Sequence, residues 1–567
     1  MKKILHKNTL ASVLLVLALA LILAVSCAKT TTTTPTKPTT TQPSTTTTTT
    51  VPTTVTTTTP KTTTTTQPTT TVPPTGGTLR VGISADAKSL GWSAIAGSTG
   101  FQDAVMRVPC LETLARYDAA GNPTPWLATG WQGDSKALTF TVTLRKGVKF
   151  HDGTDFNATA AKWNLDQEIL AKRAELSAVK SIDVVDDYTI RLNLSQWDNS
   201  IVYALASYTT GVMISPTNYQ NGGSTDADRK NWALFHPVGT GPFKFVNWQQ
   251  SVKVVYTKFD GYWQPGKPYL SGIEFDVIAD VLVEEASFLK GDLDVIYLAD
   301  AQTSADLTSK GKYVVNNLQT GINAATRGIV GNSADPNSPF ANVKVRQAVY
   351  YAIDKQAINK AIFLNLGVVT DQWAAPGTWT YNPQVSYPYD VAKAKSLLAD
   401  AGYANGIDCN LYFPNRPPLP DLYAAVQSYL KAVGIRATLQ PVTDAKFLDQ
   451  GTKGWDGLIE WAVSLEPDPL KGMMDRLLST GVGAFAVGIT HPKEIDNLMQ
   501  QASLAPDLAT KQALMQQLQK LVTLDYALAD NIVITPDISV IQPYVNKSGF
   551  SEVTRYQWTP EDIFIKK

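Results

Sequence analysis

The first residues whose types and spacing suggest chemistry lie at the N-terminus. Lys2, Lys3 and Lys7 precede a run from Ala11 to Val25 that is apolar or small apart from Ser12, and the run ends in Ala24-Val25-Ser26-Cys27. Small residues before a cysteine suit a lipoprotein signal peptidase, whose site admits only compact side chains beside a thiol carrying diacylglycerol. Residues 1–26 therefore read as an export signal and Cys27 as the lipid attachment point, although Ala24 occupies the position usually held by Leu, with Leu23 one step earlier. An uncleaved anchor would want about 20 apolar residues to cross the hydrocarbon. On either reading the bulk of the chain lies outside the cytoplasmic membrane.

Catalytic signatures are missing from the remainder. There is no HExxH, CxxC, GxSxG or Walker loop, and only His151, His236 and His491 lie beyond the signal. Gly239-Thr240-Gly241-Pro242-Phe243-Lys244 has the wrong spacing for a phosphate loop, and Pro242 removes an N–H that such a cradle needs. Glu284 and Glu285 are adjacent, so on a helix they point in different directions and suit a solvated face. No enzyme activity, cofactor or metal site is expected.

The elements that would position a binding site begin after a low-complexity segment. Residues 27–75 form a predicted stalk, almost entirely Thr and Pro from residue 30 onward, which cannot bury enough apolar surface to fold. In polyproline geometry it could span on the order of 100 Å. From Gly76 the composition is that of a mixed α/β protein. Thr78 to Ile83 and Thr139 to Leu144 alternate as half-buried strands. Asp390 is placed to cap a helix over Val391 to Ala401, with Gly402 ending it. Leu422, Val426, Tyr429, Leu430 and Val433 share one helical face before Gly434, and Ile435, Ala437 and Leu439 then alternate as a strand. A further helical pair is predicted near residue 345, its second member capped by Asp354.

Charge and cysteine content exclude other classes. Lys and Arg together number 49 and so do Asp and Glu, with no dense basic cluster, so nucleic acid is not an expected partner. Beyond Cys27 only Cys110 and Cys409 remain, and they read as isolated thiols and not as a disulfide framework.

Several segments together resemble the family 5 extracellular solute-binding proteins (peptide, nickel and opine class) that serve ABC transporters. They are Leu111-Glu112-Thr113-Leu114 with Tyr117-Asp118; Pro125-Trp126-Leu127-Ala128 with Trp131; Leu144 to Thr154, containing Phe150-His151-Asp152-Gly153; Val238 to Phe243; Phe288 to Asp294; Val345 to Asp354; and Ala392 to Tyr403. Each also has a structural reading. Phe150 to Gly153 suits a turn in which Gly153 supplies unusual backbone angles, and Arg346 suits a contact that fixes a lobe. The resemblance implies an α/β, two-lobed periplasmic-binding-protein-like fold (type II, the large class with an additional domain), hinged on two crossover strands near Leu318 to Ala325 and near Asn531 to Pro536. The implied division is 76–112, 215–320 and 530–567 for lobe I, 113–214 for the additional domain, and 321–529 for lobe II.

In dipeptide-binding relatives a Trp-x-x-Asp segment places its aspartate on the ligand amine. Here Trp461-Ala462-Val463-Ser464 offers Ser464 instead, leaving Glu460, Glu466 or Asp468 as substitutes. Asn415-Arg416 retains an arginine suited to a carboxylate or phosphate, or to a structural ion pair. The loop Gly97-Ser98-Thr99-Gly100 matches a ligand-contacting segment in position. Candidate ligand-binding residues are thus Ser98, Thr99, Asn415, Arg416, Trp461, Ser464 and Glu466, with Trp92, Trp373 and Trp379 as further aromatic surfaces. The function expected is a lipid-anchored, extracytoplasmic, monomeric receptor that passes a peptide, modified peptide or oligosaccharide to ABC transporter permease subunits. The alternatives are a ligand sensor or surface-display protein on the same fold, or a glycosidase, which would need two carboxyl groups about 5 to 10 Å apart.

Overall fold

Alternating strand and helix patterns from residue 76 onward resolve into two large sheets, each the centre of one lobe. The structure is a computed structural model describing residues 73–91, 101–318, 321–322 and 324–566. The export signal, Cys27, most of the stalk, Trp92, Ser98 and Thr99 lie outside the described residues. Among the described residues, no helix is long and apolar enough to cross a membrane.

One lobe carries a seven-stranded sheet in the order Phe243–Gln249, Lys253–Lys258, Gly272–Val277, Thr78–Ile83, Val295–Tyr297, Ile538–Ile541, Val314–Asn317. The other carries a six-stranded sheet in the order Val368–Val369, Asp530–Ile534, Thr326–Gly331, Leu458–Trp461, Ile407–Pro414, Ile435–Val442. A four-stranded sheet of Ala128–Asp134, Thr139–Leu144, Thr189–Leu194 and Val179–Asp186 forms an additional layered body.

The chain passes between the large sheets twice, on two neighbouring antiparallel strand pairs. Val314–Asn317 pairs with Ile538–Ile541 in one lobe, and Thr326–Gly331 with Asp530–Ile534 in the other. Between them, Leu318 N–H donates to Asp537 O at 2.9 Å and Thr535 N–H to Ala325 O at 2.9 Å. The hinge is therefore a hydrogen-bonded ribbon and not two loose linkers.

Local sequence chemistry explains the C-terminal lobe's helices. Asp390 accepts from Lys393 N–H to start Val391–Asp400, and Asp354 accepts from Ala357 N–H to start Lys355–Phe363. Helix Leu419–Val433 buries Leu422, Val426, Leu430 and Val433 and stops at Gly434, whose φ of 101° lies in the left-handed region. That helix connects two strands, Ile407–Pro414 and Ile435–Val442, which pair in parallel.

Two family motifs act in construction. Gly153 turns at φ 88° while Asp152 accepts from Thr154 N–H at 3.0 Å. The buried Arg346 guanidinium donates to the carbonyls of Phe340, Ala341, Tyr526 and Ala527, tying three segments together.

Candidate ligand-binding cavity

The site is assembled from the loop that follows Leu458–Trp461. Its backbone is pinned to the outgoing crossover: Thr326 N–H donates to Val463 O at 2.8 Å, and Leu465 N–H to Ala324 O at 3.0 Å. This alternation turns Val463 and Leu465 inward to the core and leaves Ser464 and Glu466 exposed to the cleft. Pro467 and Pro469 then stiffen the turn into helix Leu470–Leu477, where Asp468 accepts from Leu470 N–H at 3.1 Å.

Facing this loop is a cavity of about 440 Å³. Its walls come from three places: Ser464, Glu466, Pro467 and Asp468 with Lys471; Tyr117, Glu175, Ser200, Tyr203 and Ser207 to Thr209; and Thr554, Tyr556 and Gln557. Gln557 locks the second wall to the third through both of its amide atoms, accepting from Tyr117 N–H and donating to Tyr117 O, each at 2.8 Å. The Tyr117 hydroxyl donates to Tyr203 O at 2.8 Å. A site that sets four tyrosines among many polar and charged groups suits a small polar organic solute.

The cavity lies where the four-stranded body meets the C-terminal lobe. One hydrophobic core runs from the four-stranded body, through Leu144, Phe150 and Tyr203, into Trp373, Ile459 and Trp461 of the C-terminal lobe. Tyr203 stacks on Trp379 with ring centroids 6.0 Å apart.

Electrostatically the site is acidic. Enclosure between the lobes, followed by the charge of Glu175, pushes the Glu466 carboxyl up to about 7; Asp468 and Asp475 push in the same direction and Arg476 opposes them. Burial holds the Tyr117 and Tyr203 hydroxyls above their ordinary range. Lys471 is paired with the buried Asp198 at 2.8 Å, and Lys511 with Asp468.

Of the residues picked out from the sequence, the structure brings Ser464 and Glu466 together on the cavity wall. Trp461 is fully buried, edge-on to Trp373 at 5.3 Å, and forms the floor beneath the loop. Trp379 donates its indole N–H to Pro467 O at 2.8 Å and so braces the same loop from behind. Asn415 and Arg416 are exposed and absent from the cavity lining among the described residues; Arg416 faces Asp444 at 3.4 Å. The tyrosines and Glu175 were not legible as site residues. Tyr117 belongs to a motif that reads as structural, and nothing in the spacing of Tyr203 or Tyr556 separates them from core aromatics.

Comparison with known proteins settles the family. The profile described as "Bacterial extracellular solute-binding proteins, family 5 Middle" matches residues 122–483. This chain belongs to the family 5 solute-binding proteins of ABC transporters. Among curated family 5 proteins, the glutathione-binding protein GsiB of Shigella flexneri is 31% identical over 425 residues, covering 70% of this chain and 78% of its own. The fold matches HbpA2 from Haemophilus parasuis with a TM-score of 0.75 at 21% identity, over 87% of this chain and 100% of that one. It also matches the periplasmic binding protein DppA from Helicobacter pylori, solved with the peptide STSA, with a TM-score of 0.69 at 21% identity, over 87% and 99%. The family 5 assignment and these solved folds agree with the two lobes, and the family's members are solute-binding proteins.

Proposed function

We propose that this chain is the receptor of an ABC importer for peptide-like solutes, held outside the cytoplasmic membrane by a lipid on Cys27 and a stalk over residues 27–75. It works as a monomer, with 76–112, 215–320 and 530–567 as lobe I, 113–214 as the additional domain and 321–529 as lobe II. Ser464 and Glu466 contact the solute. The observation that carries this reading is the cavity of about 440 Å³ at the meeting of three walls, large enough for a short peptide. The relatives support it, since one is named for glutathione and another was solved with a tetrapeptide.

Transport follows from differential affinity. A solute that binds the shut form better than the open one shifts the chain toward the shut form, and only that difference can do so. The transporter then reads the shut form.

The test is native mass spectrometry and thermal unfolding of the full chain against di- to tetrapeptides, glutathione, oligosaccharides and metal chelates. A ligand at a hundredfold excess over its dissociation constant stabilises the fold by about 2.7 kcal/mol. Binding confined to sugars or chelates would remove the peptide reading. Replacement Cys27→Ala should release the chain from the membrane fraction; retention would remove the lipid.

A further inference from the structure

We infer that the loop Leu364–Gly367 is a brace between the lobes: Leu366 packs on the opposite lobe beside the hinge, favours the arrangement seen here, and so sets ligand affinity without touching the ligand. The inference rests on the solute-binding reading above and concerns the regulation of that same site.

The loop belongs to the C-terminal lobe and is fixed to it at both ends. Helix Lys355–Phe363 begins with Lys355, whose ammonium pairs with Asp530 at 2.5 Å and donates to Asn531 O at 2.8 Å, both on the crossover strand Asp530–Ile534. Beyond the helix the Asn359 amide donates to Gly367 O at 2.8 Å and accepts from Gly367 N–H at 3.0 Å. Val368 and Val369 then pair with Ile534 and Val533 of the same crossover strand. Gly367 lies so close to that strand that a Cβ there would meet Val533 Cγ2 at 2.6 Å. Leu364 and Asn365 both take left-handed backbone, at φ 53° and 62°. Two consecutive non-glycine residues in that region are unfavourable, and such strain persists only where the surrounding contacts hold the chain.

What the loop reaches is the other lobe. Leu366 packs on a cluster around Phe288, Ile296, Leu307 and Val540, and every other member of that cluster lies in residues 278–315 or 538–540. Asn317, the last residue of strand Val314–Asn317, donates its amide N–H to Leu366 O at 2.8 Å. A contact that no peptide bond makes therefore joins the lobes next to the two chain passages. Because the loop is rigid with the C-terminal lobe, rotation about the hinge ribbon carries Leu366 across the face of that cluster. The packing seen here, in the form where the four-stranded body and the C-terminal lobe share one core, loosens as they part. A contact made in one form and weakened in the other biases the balance between them and leaves the chemistry of the cavity alone.

The experiment uses the full chain with Leu366→Ala, which removes most of the packing, and with Asn317→Ala, which removes the hydrogen bond and keeps the cluster. Hydrogen exchange without ligand follows residues 197–207 and 462–468, where the walls meet, and responds when the form seen here predominates. Calorimetry with glutathione and with Ala-Ala-Ala responds when the open form predominates. In Leu366→Ala those segments are expected to exchange about tenfold faster, or the peptides to bind about tenfold more weakly. In Asn317→Ala the expected change is about fivefold. Exchange in strands Thr78–Ile83 and Ile435–Val442, within the two large sheets, should stay as in the parent. If neither quantity moves in either variant, the inference is overturned. Exchange that accelerates equally in the two sheets, or a loss of affinity that differs between peptides the parent binds, also overturns it, the first marking general loss of packing and the second a direct ligand contact. Faster exchange of the wall segments, with both peptides silent toward the parent chain, supports the brace and removes the peptide reading.

Discussion

The Lys511 ammonium, on helix Leu508–Lys520 of the C-terminal lobe, donates to the Ser200 hydroxyl at 2.8 Å across the junction with the four-stranded body. It is completely buried, pairs with Asp468, and lies 5.6 Å from the Tyr203 ring and 5.9 Å from that of Trp379. Its neighbours repeat the link. Trp197 and Asn199 donate to Ala505 O at 2.9 and 2.8 Å, and Asp198 holds Lys471. Four consecutive residues, 197 to 200, thus grip the opposite lobe directly beside the cavity.

Removing one side of this grip should act on the shut form. Ser200→Ala deletes a hydrogen bond to a charged group, worth about 1.5 to 3 kcal/mol. The expected result is faster ligand release, by about tenfold or more, with little change in association rate, read by stopped-flow binding. Lys511→Met goes further, because Asp468 is left charged and buried without its partner. A loss of about 3 to 5 kcal/mol is expected in urea unfolding. An unchanged release rate in Ser200→Ala would show that the junction does not hold the lobes together.

Arg346 tests what the family motifs are for. Its guanidinium reaches four carbonyls on two other segments, and burial draws it down to about 10. Lysine has three donors on one atom and no fork, so Arg346→Lys should leave buried carbonyls unpaired and cost about 2 to 4 kcal/mol. Ligand affinity per folded molecule should not move. A fall in affinity without a fall in melting temperature would place Arg346 in the site instead of the scaffold.

How much of this was legible in the sequence depends on how local the cause is. Asp390, Asp354 and Gly434 mark helix ends through bonds made within a few residues, so helix positions could be read directly. The cavity is different. Tyr117, Glu466 and Tyr556 meet only after the chain has crossed between lobes twice, and no spacing records that meeting. Trp461 illustrates the same limit, since a tryptophan near a cleft motif reads equally well as wall or floor, and strand Leu458–Trp461 buries it. Glu466 stood out because Ser464 had replaced the expected carboxylate, a chemical gap that the sequence itself displays.

Gly434 isolates backbone strain from packing. Its φ is 101°, and a Cβ placed there would meet nothing closer than Gly406 Cα at 3.5 Å. Gly434→Ala therefore costs only the left-handed conformation, about 1 kcal/mol, and should lower the denaturation midpoint without changing ligand affinity. A cost several times larger would mean that the strand Ile435–Val442 shifts as well.

The shut form should depend on pH through Glu466. Its carboxyl is raised to about 7 when the lobes enclose it, from an ordinary value near 4.5, so the shut form binds the proton more tightly than the open one. The stabilisation this provides is complete below the ordinary value and is lost as pH rises through about 7. Without ligand the chain should therefore be more compact at pH 5 than at pH 8, as read by small-angle scattering. Asp530 and Glu284 are raised to about 7 as well, by burial away from the cavity. Glu466→Gln separates the causes, because a neutral amide stays shut at both pH values if Glu466 is responsible. If the variant still opens between pH 5 and 8 as the parent does, the titration that parts the lobes belongs to another group.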